Sequence, residues 1–167
     1  MFNKIIDTLI KRKQGLTAVP RKYCNINNAE TIVILCAVSL VKNGMLNQIK
    51  GTLNGKKILT VIYDKDLPNA SIDNNYIVFG KKACSILSKP SFDIVNIIKK
   101  TNPDLWIDLS LYSISPFKYL LAQSKSGYRC GIKQDGNECV DMKIRIPHSY
   151  NEIQFFKTLC DYMDKIK

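Results

Sequence analysis

Short runs of apolar residues, many of them β-branched, alternate along most of the chain with segments whose apolar residues recur at helical spacing. A run that is apolar at nearly every position is typical of a strand buried on both faces, as in a parallel sheet. The runs of this kind are 31–37, 57–63, 105–109 and 128–132. Two further stretches, 76–79 and 140–146, predict a short strand and an edge strand.

The segments between these runs predict helices. We place them at 45–54, from Pro90 to about Thr101, from Ser115 to Gly127, and after a Ser149-x-x-Glu152 capping box. Ser115 is expected to be the N-cap that precedes Pro116, and residues 38–44 are expected to be a loop. Strands that alternate with helices predict an α/β fold, a Rossmann-like three-layer sandwich around a mostly parallel sheet.

The first fifteen residues form a separate pattern. Apolar residues recur there at the spacing of one helix face, and they are Phe2, Ile5, Ile6, Leu9 and Ile10. Basic residues gather at the C-terminal end of this predicted helix, where cations complement the helix dipole, and Gly15 ends it. Residues 16–29 have no period and are predicted to be a linker, so that 30–167 form the single Rossmann-like domain.

Composition is ordinary for a globular protein of one domain, with 167 residues, 46% hydrophobic and 23% charged. The apolar run 32–41 is too short to span a bilayer, and we recognise no secretory signal. We therefore expect a cytoplasmic protein whose cysteines are reduced. Six cysteines without a C-x-x-C pair, and a single histidine at 148, predict no metal site. His148 is expected to be a solvent-exposed residue before the last helix.

The net charge of +11 is the one unusual property of this otherwise ordinary composition. Such an excess attracts phosphate-rich partners such as nucleic acids, nucleotides or anionic lipids, although a solvated lysine-rich surface is the alternative explanation. The candidate anion-binding residues are Lys11, Arg12, Lys13, Arg21, Lys22 and Arg129. Two of the arginines lie close to a tyrosine in sequence, an arrangement that suits base stacking combined with phosphate contact.

Small-molecule chemistry has fewer candidates. The loop 38–44 has neither the G-x-G-x-x-G nor the P-loop pattern, so we expect no cofactor, and no catalytic residue is assigned. Asp108 near the carboxyl end of a predicted strand, with Ser110 and Ser113 just beyond it, is the best candidate pocket, because ligands of such sheets bind at that edge. The alternative is that Asp108 hydrogen-bonds neighbouring backbone amides of its loop.

Two segments carry a resemblance. Pro103-Asp-Leu-Trp-Ile-Asp-Leu-Ser110 and Gln123-Ser-Lys-Ser-Gly-Tyr-Arg-Cys-Gly131 resemble motifs of an uncharacterised bacterial family of small basic α/β proteins. The chain is more distantly similar to the N-terminal half of lipopolysaccharide heptosyltransferases. It lacks the glycine-aspartate step that supplies the catalytic base of those enzymes, and it lacks their second, donor-binding domain.

These observations favour a non-catalytic cytosolic protein that binds an anionic macromolecule, RNA or a ribosomal surface. One alternative is a glycosyltransferase-like half-domain that retains a pocket for a small molecule or a nucleotide sugar. Another is a peripheral membrane protein anchored by its N-terminal helix. For that helix we rank docking on the same chain, or on a second copy in a homodimer, ahead of docking on a membrane surface.

Overall fold

The computed structural model describes residues 21–134 and 139–166. Their strands are β1 (Thr31–Ala37), β2 (Lys57–Tyr63), β3 (Ser71–Asp73), β4 (Tyr76–Phe79), β5 (Leu105–Asp108), β6 (Tyr128–Ile132) and β7 (Met142–Ile144). Their α-helices are α1 (Val38–Lys42), α2 (Met45–Thr52), α3 (Phe92–Thr101), α4 (Ser115–Gln123) and α5 (Glu152–Lys165). The predicted N-terminal helix, 1–15, lies outside the described residues.

Within the described residues the strands form one sheet in the order β3-β4-β2-β1-β5-β6-β7. All neighbouring strands pair in parallel except β3, which runs antiparallel to β4. The central strand β1 pairs with β2 on one side and with β5 on the other. The predicted α/β fold with a mostly parallel sheet is therefore confirmed, and the four continuous apolar runs are four of its five interior strands, the fifth being β4.

Helices cover both faces of the sheet, which explains why the interior strands are apolar at nearly every position. Ile94, Val95 and Ile98 of α3 pack on one face together with Phe117 and Leu121 of α4. On the other face the buried residues of α1, α2 and α5 pack; they are Leu40, Leu46, Ile49, Phe155, Phe156, Leu159 and Met163. Four successive residues of β1, 32–35, have no exposed surface at all.

Local predictions at five places were wrong. The helix predicted from Pro90 begins at Phe92, and the helix predicted to reach Gly127 ends at Gln123. The N-cap of α5 is Asn151, whose side chain forms a reciprocal capping box with Gln154 in place of the predicted one at Ser149. Ser149 cannot begin the helix because it lies inside a turn in which the Tyr150 amide donates to the Pro147 carbonyl. Ser115 is the first residue of α4 rather than its cap. The predicted loop 38–44 contains the five-residue helix α1, because its apolar residue Leu40 is buried against the core.

Residues 21–29, the described part of the predicted linker, contain neither helix nor strand but lie against the domain. The hydroxyl of Tyr23 and the side-chain amide of Asn25 both donate to the carbonyl of Met163, at 3.0 and 2.7 Å. Ile26 and Ala29 are buried in the core. These contacts fix the chain entering β1 against the C-terminal end of α5.

The turn between α4 and β6 depends on a glycine. Gly127 has a φ of +83°, and a Cβ atom there would lie 2.5 Å from the Pro103 carbonyl oxygen and 2.8 Å from the Trp106 ring. We expect Gly127→Ala to lower the free energy of unfolding by about 1–3 kcal/mol, because an alanine is strained at this φ and also meets backbone. Urea denaturation of the full chain measures the change.

Gly51→Ala is the matched control. Gly51 lies in α2 with open space around its Cα, so alanine is expected to stabilise the helix by about 0.5–1 kcal/mol. An equal effect of the two substitutions would contradict the role assigned to the turn.

Candidate functional site

The carboxyl ends of the parallel strands meet at one edge of the sheet, and the strand order reverses there between β1 and β5. In open α/β sheets ligands bind in the crevice outside the carboxyl ends of the strands, at such a reversal. Asp108 is the last residue of β5 and stands opposite Leu35 of β1. The structure therefore places Asp108 at this switch point.

Asp108 is held inside the protein by its own loop. Only 8% of the Asp108 surface is exposed. Its Oδ1 accepts a hydrogen bond of 3.0 Å from the backbone amide of Ser110. Burial raises the pKa of Asp108 to about 6, against the opposing effects of the Ser110 contacts and of the nearby Lys118 ammonium. The carboxyl group thus organises the start of the loop after β5, and little of it reaches solvent.

The three residues of the candidate pocket do not form one open site. Asp108 and Ser110 lie together and are buried, whereas Ser113 is exposed farther along the loop. The Ser110 hydroxyl is buried without a hydrogen-bond partner among the described residues. Lys118 of α4 is also buried and contributes positive charge near the carboxylate. This cluster can hold a proton or fix the loop, but it offers no opening for a ligand.

The loop that Asp108 organises forms one wall of an open groove. The backbone carbonyl of Ser110 accepts a hydrogen bond of 3.0 Å from the side-chain amide of Gln134, which follows β6. The groove has a volume of about 490 Å³. Its lining residues are Leu111, Ile132, Lys133, Gln134, Arg145, Ile146, Pro147, His148 and Tyr150. We call it the carboxyl-edge groove, because these residues follow the carboxyl ends of β5, β6 and β7.

The chemistry of the carboxyl-edge groove is cationic, amphipathic and partly aromatic. Lys133, Arg145 and His148 are exposed, and Tyr150 is half-buried. None of the described residues that line the groove is acidic. Lys133 and Arg145 can donate hydrogen bonds to phosphate oxygens, and Tyr150 provides a flat apolar ring with a polar tip. The groove can therefore hold an anionic ligand that also carries flat rings.

Sequence reasoning missed the basic residues of this groove. Lys133 follows directly after the predicted strand 128–132, whereas Arg145 lies inside the predicted edge strand 140–146. In the structure β7 ends at Ile144, so both residues follow a strand, and in a parallel sheet those positions share an edge. The sequence offered this signal for Lys133 alone, because the observed end of β7 and its pairing with β6 were needed to bring the two cations together. His148 is exposed before the last helix, and the groove gives it neighbours that the sequence alone did not.

Two of the candidate anion-binding residues, Arg21 and Arg129, lie together at the opposite, amino edge of the sheet. Arg129 makes a bidentate contact with Asp141, at 2.9 Å from Nε to Oδ2 and 2.7 Å from Nη2 to Oδ1. Nη1 of Arg21 donates to the Gly127 carbonyl at 2.7 Å, and Nη2 donates to that of Ser124. An external anion at these arginines would have to compete with their protein partners.

Burial, followed by the charge of Arg129, lowers the pKa of Arg21, while Asp141 opposes the shift. Lys22 is exposed beside this pair. The remaining candidates, Lys11, Arg12 and Lys13, lie outside the described residues.

The described cysteines are buried or half-buried. Cys24, Cys36, Cys84, Cys130 and Cys160 form no disulfide bond, and no three His, Cys, Asp or Glu side chains of the described residues lie together as a metal site. Burial raises the pKa of Cys36 to about 12, so its thiol stays protonated and unreactive at neutral pH. Within the described ranges, no helix combines the length and apolarity needed to cross a membrane.

The raised pKa of Asp108 predicts a pH dependence of stability. Since this pKa of about 6 lies above the ordinary value, the folded state binds more protons than the unfolded state between about pH 4 and pH 6. The contribution of Asp108 to the free energy of unfolding therefore falls as the pH rises through that window. Relative to the wild type, Asp108→Asn should gain up to about 3 kcal/mol of stability between those pH values.

Urea denaturation of both proteins from pH 4 to pH 7 measures this difference, and the contributions of the other titrating groups cancel in it. Two parallel stability profiles would show that Asp108 has an ordinary pKa in the folded protein.

No curated protein and no solved structure matches this chain. The resemblance to the N-terminal half of heptosyltransferases therefore stays a prediction. A family model, in contrast, matches residues 2–166, and this match confirms the predicted membership of an uncharacterised family. The chain belongs to the family of unknown function DUF6913.

Proposed function

We propose that this protein binds single-stranded RNA, ribosomal RNA included, in the carboxyl-edge groove and does not transform it chemically. The observation that carries the proposal is the composition of the groove. Lys133, Arg145 and His148 line it together with Tyr150, and none of its described lining residues is acidic. A groove of this kind matches a chain of phosphates that carries flat bases.

Each part of the groove has a counterpart in RNA. Lysine and arginine neutralise phosphates, and the release of counterions from those phosphates drives binding. Bases of single-stranded RNA stack on aromatic rings, which Tyr150 and His148 offer. Gln134 can use only part of its side-chain amide to hydrogen-bond base edges, because that amide already donates to the Ser110 carbonyl.

The charge of the whole chain supports the same proposal. A net charge of +11 raises the rate at which a polyanion meets the protein, because the attraction acts before contact. Such steering does not select a site, since lysines are spread over the surface. The groove supplies the site, because it combines cations, rings and a concave shape in one place.

Neutralising the two groove cations tests the proposal. We expect Lys133→Gln with Arg145→Gln to weaken binding of a labelled 12-nucleotide RNA about tenfold at low salt. Two lost phosphate contacts should also make the plot of log K against log salt shallower by about 1.4, at about 0.7 per contact for a single strand. Fluorescence anisotropy over a series of KCl concentrations measures both quantities.

Lys99→Gln with Lys100→Gln is the matched control. It removes the same charge from the C-terminal end of α3, where both lysines are exposed and far from the carboxyl ends of the strands. The control should leave the salt slope nearly unchanged. Equal losses of RNA affinity in the two double variants would mean that binding depends on net charge rather than on the groove. A wild-type protein that binds no RNA at low salt would contradict the proposal altogether.

A small-molecule site of the glycosyltransferase type stays second. The observation that favours it is the burial of Asp108, with its raised pKa, at the switch point. A ligand could reach this carboxyl only after displacing the loop that begins at Leu109, since Asp108 and Ser110 are both buried. The RNA proposal needs no such movement. Anchoring at a membrane through residues 1–15 rests on a segment outside the described residues and stays a prediction.

A further inference from the structure

A second groove lies at the opposite edge of the sheet, between α3 and α4. Its volume is about 250 Å³. The residues that line it are Val95, Ile98, Lys99, Asn102, Pro103, Trp106, Leu120, Gln123, Ser124, Lys125 and Ser126. We call it the amino-edge groove, because Pro103 and Trp106 belong to the chain that enters β5. Nothing in the proposed RNA site uses it.

The amino-edge groove suits apolar side chains better than a small molecule. Its floor and walls come from Val95 and Ile98 of α3, Trp106 of β5 and Leu120 of α4. Pockets that bind small molecules usually have volumes of about 300–1,000 Å³ and several converging polar groups. This groove is smaller, and the indole N–H of Trp106 is already satisfied by the Ser126 carbonyl at 2.9 Å. These four apolar residues are only 2–7% exposed, so the groove offers a partner a small apolar surface to bury.

The chain itself passes the rim of this groove. Ser124 and Ser126 belong to the lining, and the Arg21 guanidinium donates to the carbonyls of both, at 3.3 Å in the case of Ser126. The twenty residues that precede Arg21 thus begin beside the groove. Among them are the five apolar residues of the predicted amphipathic helix, Phe2, Ile5, Ile6, Leu9 and Ile10.

Only a short stretch of chain joins the predicted helix to Arg21. Five residues, 16–20, separate its predicted end from Arg21, and even fully extended they span at most about 17 Å. Tethering at so short a range makes the effective concentration of the segment at the groove high. A second copy of the chain, or a separate partner, would have to compete with this local segment.

We infer that the amino-edge groove is the docking surface for the apolar face of residues 2–10 of the same chain. Docking would leave Lys4, on the opposite face of the predicted helix, toward solvent, on the same side as Lys99 and Lys125 at the rim. These like charges repel one another, so salt should not weaken the docking, in contrast to the binding of RNA. The inference does not depend on the proposed RNA site.

Site-specific photo-cross-linking of the full chain tests the inference. With benzoylphenylalanine in place of Leu9, on the apolar face, irradiation should link the segment to peptides from 95–106 or 120–126 of the same chain. Lys4 lies on the opposite face of the predicted helix, and a probe in its place is the matched control, expected to give at least fivefold less of these products. Mass spectrometry of peptides from the monomer band identifies the links.

A probe in place of Ile6 repeats the test in case the one at position 9 disturbs docking. The yield of the expected links should be equal or higher at 0.5 M KCl than at 0.05 M KCl. Links only between two chains would assign the groove to a second copy and overturn the inference. Links to other surfaces, or equal yields from the two faces of the segment, would overturn it as well.

Discussion

The pairing of β1 on both sides is the constraint on which the rest of the structure depends. Its neighbours β2 and β5 run parallel to it, and parallel strands need crossover connections that return the chain to the same starting edge. Before β2 these are α1 and α2, and before β5 the connection is α3. Those helices cover both faces, which forces the middle of β1 to be wholly buried. Because the parallel strands end at the same edge of the sheet, the loops that follow β1, β5, β6 and β7 all lie at that edge.

The candidate site follows from that geometry by a short chain of contacts. The Asp108 carboxyl binds the Ser110 amide, the Ser110 carbonyl binds Gln134, and Gln134 lies in the carboxyl-edge groove. A buried carboxyl group with a raised pKa is costly when ionised, so its retention in the fold is explained here by its hold on the loop. The groove takes its shape from this loop and its charge from Lys133 and Arg145.

The fold could be predicted from the sequence because its main signal is local. Runs such as 31–37 are apolar at almost every position, and only a strand buried on both faces needs such a run. Caps were harder to predict, since Ser149 and Asn151 are both good cap residues and the turn at Pro147 decided between them.

The candidate site could be predicted only in part. Asp108 and Ser110 are close in sequence, and their contact was among the alternatives considered. The groove was missed because Lys133 and Arg145 meet only through the pairing of β6 with β7. The partners of Arg21 were missed for the same reason, since Ser124 and Asp141 lie far from it along the chain. Patterns of a few residues do not contain such contacts.

Direct mapping of the contact tests the proposal that RNA lies in the carboxyl-edge groove. RNA that contains 4-thiouridine can be irradiated in complex with the full chain, and the cross-linked peptides can be identified by mass spectrometry. We expect adducts on the peptides that contain Lys133 and residues 145–150, with Tyr150 the main acceptor. Adducts confined to other surfaces, such as the exposed faces of α2 or α3, would contradict it.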